Sequence, residues 1–201
     1  CRSFVSKVIA ITNQKGGVGK TTTCVNLAAS LVATKRRVLV IDLDPQGNTT
    51  MGSGIEKNTL KHSVLDVLTQ RVDINQVVHI NTPAGYDLLP SNGDLTAAEV
   101  ELIKVNQKEA RLRLALTQLQ QDYDFVLVDC PPSLNMLTVN ALVCANSVLV
   151  PMQCEYYALE GISALLNTVK FIKHSLNPEL VIEGILRTMY DPRNSLTNDV
   201  S

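Results

Sequence analysis

Four short runs of uninterrupted apolar residues punctuate the chain, at 8–11, 38–41, 125–128 and 148–150. Runs this short with no polar alternation belong to strands covered on both faces, as in a parallel sheet. Between them the period changes. Residues 22–33 set Val25, Leu27, Ala28, Leu31 and Val32 at helical spacing. Residues 135–145 and 157–174 read as further helices, and 181–189 contains a last strand. Strands alternating with helices predict an α/β fold, a mostly parallel sheet flanked by helices, whose ligand sites lie at the carboxyl ends of the strands.

The middle of the chain is less regular. Residues 63–69 read as a short helix with Val64, Leu65, Val67 and Leu68 as its apolar set, and 77–80 and 86–89 read as strands. Asp94 is expected to cap a long helical region running to Gln121. There Leu112, Ala115, Leu116 and Leu119 recur at helical spacing, with Lys108, Glu109, Arg111 and Arg113 as the solvated face. No repeat or low-complexity linker interrupts the sequence, so residues 1–201 are expected to form a single domain.

Composition narrows the picture. Hydrophobic residues make up 45% and aromatics only 4%, with no tryptophan, so a packed aliphatic core is expected rather than disorder. A net charge of −1 excludes a uniformly basic surface, so any nucleic-acid contact must come from a local patch. Lys35-Arg36-Arg37 is read first as positive charge at a helix C-terminus. The five cysteines are odd in number and lack C-x-x-C spacing, which fits reduced thiols better than disulfides or zinc. No apolar run approaches membrane-span length and no signal peptide precedes the first strand, so a cytoplasmic protein with no membrane partner is expected.

The chemistry concentrates after the first strand, in Lys15-Gly16-Gly17-Val18-Gly19-Lys20-Thr21-Thr22. Strand, glycine-rich turn and helix are the context of a phosphate-binding loop. Glycines let successive backbone N–H groups curl around an anion, and the following helix points its positive end at the same place. Lys20 can reach the β- and γ-phosphates, and the Thr21 hydroxyl can ligate Mg²⁺. The ordinary pattern places glycine at position 14, where this chain has Gln14, and a second lysine, Lys15, precedes the glycine pair.

Two further acidic segments end apolar strands, Asp42-Leu43-Asp44-Pro45 and Asp129-Cys130-Pro131-Pro132. Asp129 suits the role of holding Mg²⁺ through water, with Asp42 a further candidate for the metal. A carboxylate in the Asp42/Asp44 segment could orient or activate the water that attacks the γ-phosphate.

These segments resemble ParA/Soj-type partitioning ATPases of the ParA/MinD family with its deviant Walker A P-loop. The resemblance rests on residues 13–22, on Asp42-Leu43-Asp44-Pro45-Gln46-Gly47-Asn48, on Asp129-Cys130-Pro131-Pro132-Ser133 and on Gln153-Cys154-Glu155-Tyr156-Tyr157-Ala158-Leu159-Glu160-Gly161. It implies an ATP-dependent homodimer that binds DNA nonspecifically in the nucleoid. It also implies slow hydrolysis of ATP, accelerated by a ParB/Spo0J-type centromere-binding partner. Lys15 would then reach the partner's nucleotide, Gly16 would lie at the dimer contact, and Asp44 would be tied to hydrolysis. The stretch 188–193 is similar to the family segment near the adenine, which implies Met189 and Asp191 at the base and Arg193 on DNA. Family members continue beyond residue 201, so an incomplete C-terminus is expected. Two other readings share the phosphate loop: a MinD-like membrane-cycling division-site ATPase, which needs an amphipathic C-terminal helix, and an iron–sulfur reductase component, for which Cys130 is the only cysteine beside the site.

Overall fold

The computed structural model describes residues 7–153 and 158–189, with the backbone alone for 158–161. Among these residues six strands form one sheet: β1 (Lys7–Ile11), β2 (Val38–Asp42), β3 (Asp87–Leu89), β4 (Phe125–Asp129), β5 (Ser147–Gln153) and β6 (Val181–Thr188). Their order is β3-β2-β4-β1-β5-β6, and every pairing within the sheet is parallel. Among the described residues eight α-helices accompany them: α1 (Lys20–Ala33), α2 (Asn48–Gly52), α3 (Val64–Leu68), α4 (Ile74–Val77), α5 (Ala98–Leu102), α6 (Arg111–Leu116), α7 (Met136–Cys144) and α8 (Ala158–Ser175).

The uninterrupted apolar runs are explained by two cores, one on each face of the sheet. Successive side chains of a strand point to opposite faces. Leu39, Ile41, Val126 and Val128 therefore join the larger core, with residues of α3, α5, α6, α7 and α8. Val38, Val40 and Leu127 join the smaller one, against Cys24 and Ala28 of α1. The fully buried Asn140 ties the helical layer together: its Oδ1 accepts from the Leu112 amide at 3.0 Å, and its Nδ2 donates to the Lys108 carbonyl at 2.8 Å. At the far edge, β6 leaves Val181, Ile182, Ile185 and Leu186 exposed.

Two expectations for the middle of the chain are corrected. Residues 77–80 are not a strand. Asp73 caps α4 by accepting from the Asn75 amide, and of the expected strand only His79 makes an isolated antiparallel bridge to Leu88. The long helix from Asp94 to Gln121 is also broken, into a 3₁₀ turn at Gly93–Ala97, α5, a second turn at Lys108–Ala110 and α6. Asn92, not Asp94, caps the first turn, and Gln107 adopts a left-handed φ of 55° before the second. The left-handed Gln107 is incompatible with a continuing helix and redirects the chain between α5 and α6. Leu95, Ala98, Leu102 and Leu112 are all buried.

Candidate functional site

The glycine loop leaves the buried end of β1 and is pinned from both sides. Asn13 donates from Nδ2 to the Pro151 carbonyl of β5 at 2.8 Å, while its Oδ1 accepts from the Lys15 amide at 3.0 Å. Thr188, the last residue of β6, donates from Oγ1 to the Val18 carbonyl at 2.8 Å. Gly17 and Gly19 have φ of 75° and 86°, a region that side-chain-bearing residues rarely adopt. Gly19 precedes α1, and no side chain caps that helix. The free amides of the first turn are therefore available to an anion, reinforced by the helix dipole.

Gly16 differs from its neighbours. Its φ is not positive, and a Cβ built on it would meet nothing within 4 Å. It is exposed, and Lys15 beside it is partly so. Among the described residues of this protomer nothing requires a glycine at position 16.

Lys20 opens α1 and is largely buried, with its Nζ donating to the Lys15 carbonyl at 3.0 Å. Desolvation lowers its pKa, opposed by the charges of Asp129 and Asp44. Thr21 follows, and its Oγ1 donates to Asp129 Oδ2 at 2.8 Å. The same oxygen accepts from Thr49 Oγ1 at 2.6 Å. The other, Asp129 Oδ1, is buried with no hydrogen-bond partner among the described residues. Burial raises Asp129 to about 6, against the lowering effect of the Thr49 and Thr21 hydroxyls. A buried carboxylate oxygen left unpaired beside a threonine hydroxyl fits a hard divalent cation such as Mg²⁺, whose ligands are oxygens.

Asp42 and Asp129 end adjacent strands in register, yet they are used differently. Asp42 is fully buried and both of its oxygens are committed. Oδ2 accepts from the Thr50 amide at 2.8 Å and its hydroxyl at 2.7 Å, and Oδ1 accepts from the Asp44 amide at 3.1 Å. Burial and then the Asp129 charge push Asp42 up to about 7. Asp44 leaves the sheet, and its carboxylate accepts from the Gln46 amide at 2.9 Å. Its carbonyl is held by Ser91 Oγ at 2.8 Å. Gly47 has φ of 63°, and a Cβ there would stand 2.8 Å from Lys57 Cδ and 3.1 Å from the Ser91 carbonyl oxygen, so the turn suits glycine.

A cleft of about 380 Å³ joins these parts. Gly16, Gly17, Gly19, Lys20, Thr21 and Thr22 form one wall and Asp44, Gln46 and Asn48 another, completed by Pro132 and Met189. The fold thus gathers Lys20, Thr21, Thr22, Asp44 and Met189 on one cleft, with Asp129 held against Thr21. Asp191 and Arg193 lie outside the described residues, as do residues 154–157 of the last motif. Three residues that the sequence alone did not single out hold the acidic segments: Thr49 and Thr50 bond the Asp129 and Asp42 carboxylates, and Ser91 bonds the Asp44 main-chain carbonyl. Their signal was faint, a pair of hydroxyl residues shortly after an acidic strand end.

Cys130 beside Asp129 is fully buried and its thiol is pushed well above the usual range by desolvation, so it presents no sulfur at a subunit surface. Among the described residues no group of three His, Cys, Asp or Glu side chains could hold a metal, and no helix is long and apolar enough to cross a membrane.

Comparison with known proteins converges on the same loop-and-sheet unit. A family described as an AAA domain, AAA_31, matches residues 6–182. An uncharacterised protein of Pseudomonas putida is 64% identical over 197 residues, 98% of this chain and 75% of that protein. The sporulation initiation inhibitor protein Soj of Bacillus subtilis is 50% identical over 192 residues, 96% of this chain and 76% of Soj. Among solved structures, one described as cobyrinic acid a,c-diamide synthase from Mycobacterium smegmatis with bound ATP analogue and magnesium superposes with a TM-score of 0.93. It is 43% identical, over 98% of this chain and 80% of that one.

Proposed function

The chain belongs to the ParA/Soj-type family of P-loop ATPases, and from that membership we propose that it is an ATP-dependent dimerising switch for chromosome or plasmid segregation. In this reading it binds ATP with Mg²⁺, dimerises, binds DNA nonspecifically and hydrolyses ATP slowly until a ParB-type centromere-binding partner accelerates the reaction. The observation that carries the nucleotide part is the unpaired Asp129 Oδ1 beside Thr21, at the foot of an uncapped helix and its glycine loop. The solved relative with its bound ATP analogue and magnesium supports the same ligand pair. The higher identity to Soj supports a switch rather than a synthase.

Each residue has a separate task. The loop amides and Lys20 hold the phosphates, with Lys20 exchanging its bond to the Lys15 carbonyl for the more strongly charged phosphate oxygens. Thr21 and Asp129 hold the ion. Bound there, Mg²⁺ neutralises charge on the β- and γ-phosphates. Asp44 borders the cleft and orients or activates the attacking water. Asp42, sequence candidate for the metal, acts by fixing the Asp44 backbone, because its own oxygens are already committed.

Lys15 and Gly16 support dimerisation. A glycine required by neither the dihedrals nor the space of its own protomer fits a surface approached closely by a second chain. Lys15 beside it would place a positive charge on the partner's phosphates, as an arginine finger does in trans. Arg193 and Asp191 keep their proposed roles at DNA and adenine, and the protein is proposed to associate with the nucleoid. The test is sedimentation and DNA retention of the full-length protein with ATP, with ADP and without nucleotide. A DNA-bound dimer in ATP alone is expected. A dimer indifferent to nucleotide, or DNA retention by the ADP form, would overturn the reading.

A further inference from the structure

Behind the cleft wall lies a buried contact that nucleotide binding alone does not explain. Thr49 is fully buried in α2 and donates to Asp129 Oδ2 at 2.6 Å, across a sequence separation of 80 residues. Thr21 donates to that same oxygen. With both hydroxyls on Oδ2, the carboxylate cannot turn without breaking a buried hydrogen bond, and Oδ1 is left unpaired. Thr50, the next residue, makes the equivalent bond to Asp42, and Asp42 in turn accepts from the Asp44 amide. Two consecutive hydroxyls on one short helix therefore grip two adjacent carboxylates, and the segment bearing Asp44 runs into that helix.

We infer that Thr49 is a positioning residue: it fixes the rotamer of Asp129 for the magnesium ion and couples occupancy of the ion to the placement of the Asp44 segment. The inference rests on the proposed nucleotide and ion site. The physical basis is that a carboxylate bound to a metal is aligned by hydrogen bonds to its remaining lone pairs, and removing such a partner weakens metal affinity by about 10- to 100-fold. Thr21 cannot supply this alone, because its oxygen is itself a candidate ligand. Thr49, behind the carboxylate and fully buried, keeps its bond whichever way Thr21 is used.

The experiment compares wild type, Thr49→Val, Thr49→Ala and Thr49→Ser, each as the full-length protein, by the fluorescence of a labelled ADP. Nucleotide affinity is measured in EDTA and across a Mg²⁺ titration, so the readout is binding and not turnover. Thr49→Val and Thr49→Ala should bind labelled ADP in EDTA within about twofold of wild type, while the Mg²⁺ midpoint rises by about tenfold or more. Thr49→Ser keeps the hydroxyl and should restore the midpoint. Hydrogen exchange over residues 44–52 supplies the second readout: adding Mg²⁺ to the ADP complex should protect these amides in wild type and Thr49→Ser, but not in Thr49→Val or Thr49→Ala. An unchanged Mg²⁺ midpoint in the Val and Ala variants overturns the positioning role, as does a Ser variant shifted as far as they are. Protection of 44–52 that persists in the Val and Ala variants overturns the coupling. If Thr49→Val does not fold, Thr49→Ala, which places no methyl against the carboxylate, decides alone. Should wild type itself bind labelled ADP with no response to Mg²⁺, it is the proposed function that fails.

Discussion

Lys20 Nζ donates to the backbone carbonyl of Lys15 at 3.0 Å, so the two lysines of the phosphate loop meet through side chain and main chain rather than side by side. One is a largely buried cation at the head of α1. The other lends its carbonyl inward while its own side chain lies at the partly exposed shoulder of the loop. This difference in placement implies a difference in duty.

Lys20→Ala should therefore reduce ATP affinity itself, by about 10-fold or more for a lost charge-assisted contact. Lys15→Gln should bind ATP nearly normally and fail in dimerisation and turnover. Gly16→Val should fold and bind ATP, since the protomer offers open space there, yet remain monomeric by sedimentation. Equal loss of ATP affinity in both lysine variants would remove the in-trans role from Lys15.

Asp44→Ala should bind ATP and dimerise while turning over at least about 100-fold more slowly, the scale expected when a general base is lost. It should accumulate on DNA, because the exit step is blocked. Single-turnover hydrolysis measured beside DNA retention checks both halves. Wild-type hydrolysis in this variant would show that Asp44 does not act on the water.

Burial and the neighbouring Asp129 hold Asp42 at about 7, whereas an aspartate in an unfolded chain titrates near about 3.9. Native protein thus retains a proton that the unfolded chain gives up, and stability falls as pH rises between those two values. Asp129, raised to about 6, acts in the same direction. Without nucleotide or Mg²⁺, Tm should be lower at about pH 8 than at about pH 5.5, and Asp42→Asn should flatten part of that slope. Calorimetry across the range checks it, and a wild-type Tm rising with pH would contradict the assignment.

Arg193→Ala should weaken DNA binding about equally on two unrelated duplexes and reduce the slope of log K against log salt by about one. ATP binding and dimerisation should be retained. Salt titrations on both duplexes measure this, and a loss confined to one sequence would mean that Arg193 reads bases rather than contacting phosphate.

The parts of this chain legible in its sequence are those governed by one strong constraint. β2 and β4 had to be apolar up to their terminal aspartates because both faces are covered, and the glycine loop was visible because the dihedrals of Gly17 and Gly19 exclude most other residues. In the middle α3 was legible from its apolar set, but α4, α5 and α6 are a single turn or little more, held by caps such as Asp73 on α4 and by tertiary packing rather than by a long period. Thr49 and Ser91 were obscure for another reason. A buried hydroxyl carries no signature of its own until the carboxylate or carbonyl it meets, some tens of residues away, has been placed.

The bond from Thr188 to the Val18 carbonyl spans 170 positions of sequence. On a ribosome the glycine loop emerges among the first segments, while the strand that steadies it is nearly the last of the described fold to appear. Contacts so distant in sequence form late, after the entropy of closing the intervening chain has been overcome. A nascent chain lacking β6 would carry every phosphate-binding residue of the loop and yet hold Val18 and Gly19 without their brace. The brace on Val18 would thus be among the last contacts of the described fold to form, well after the residues it steadies have been made.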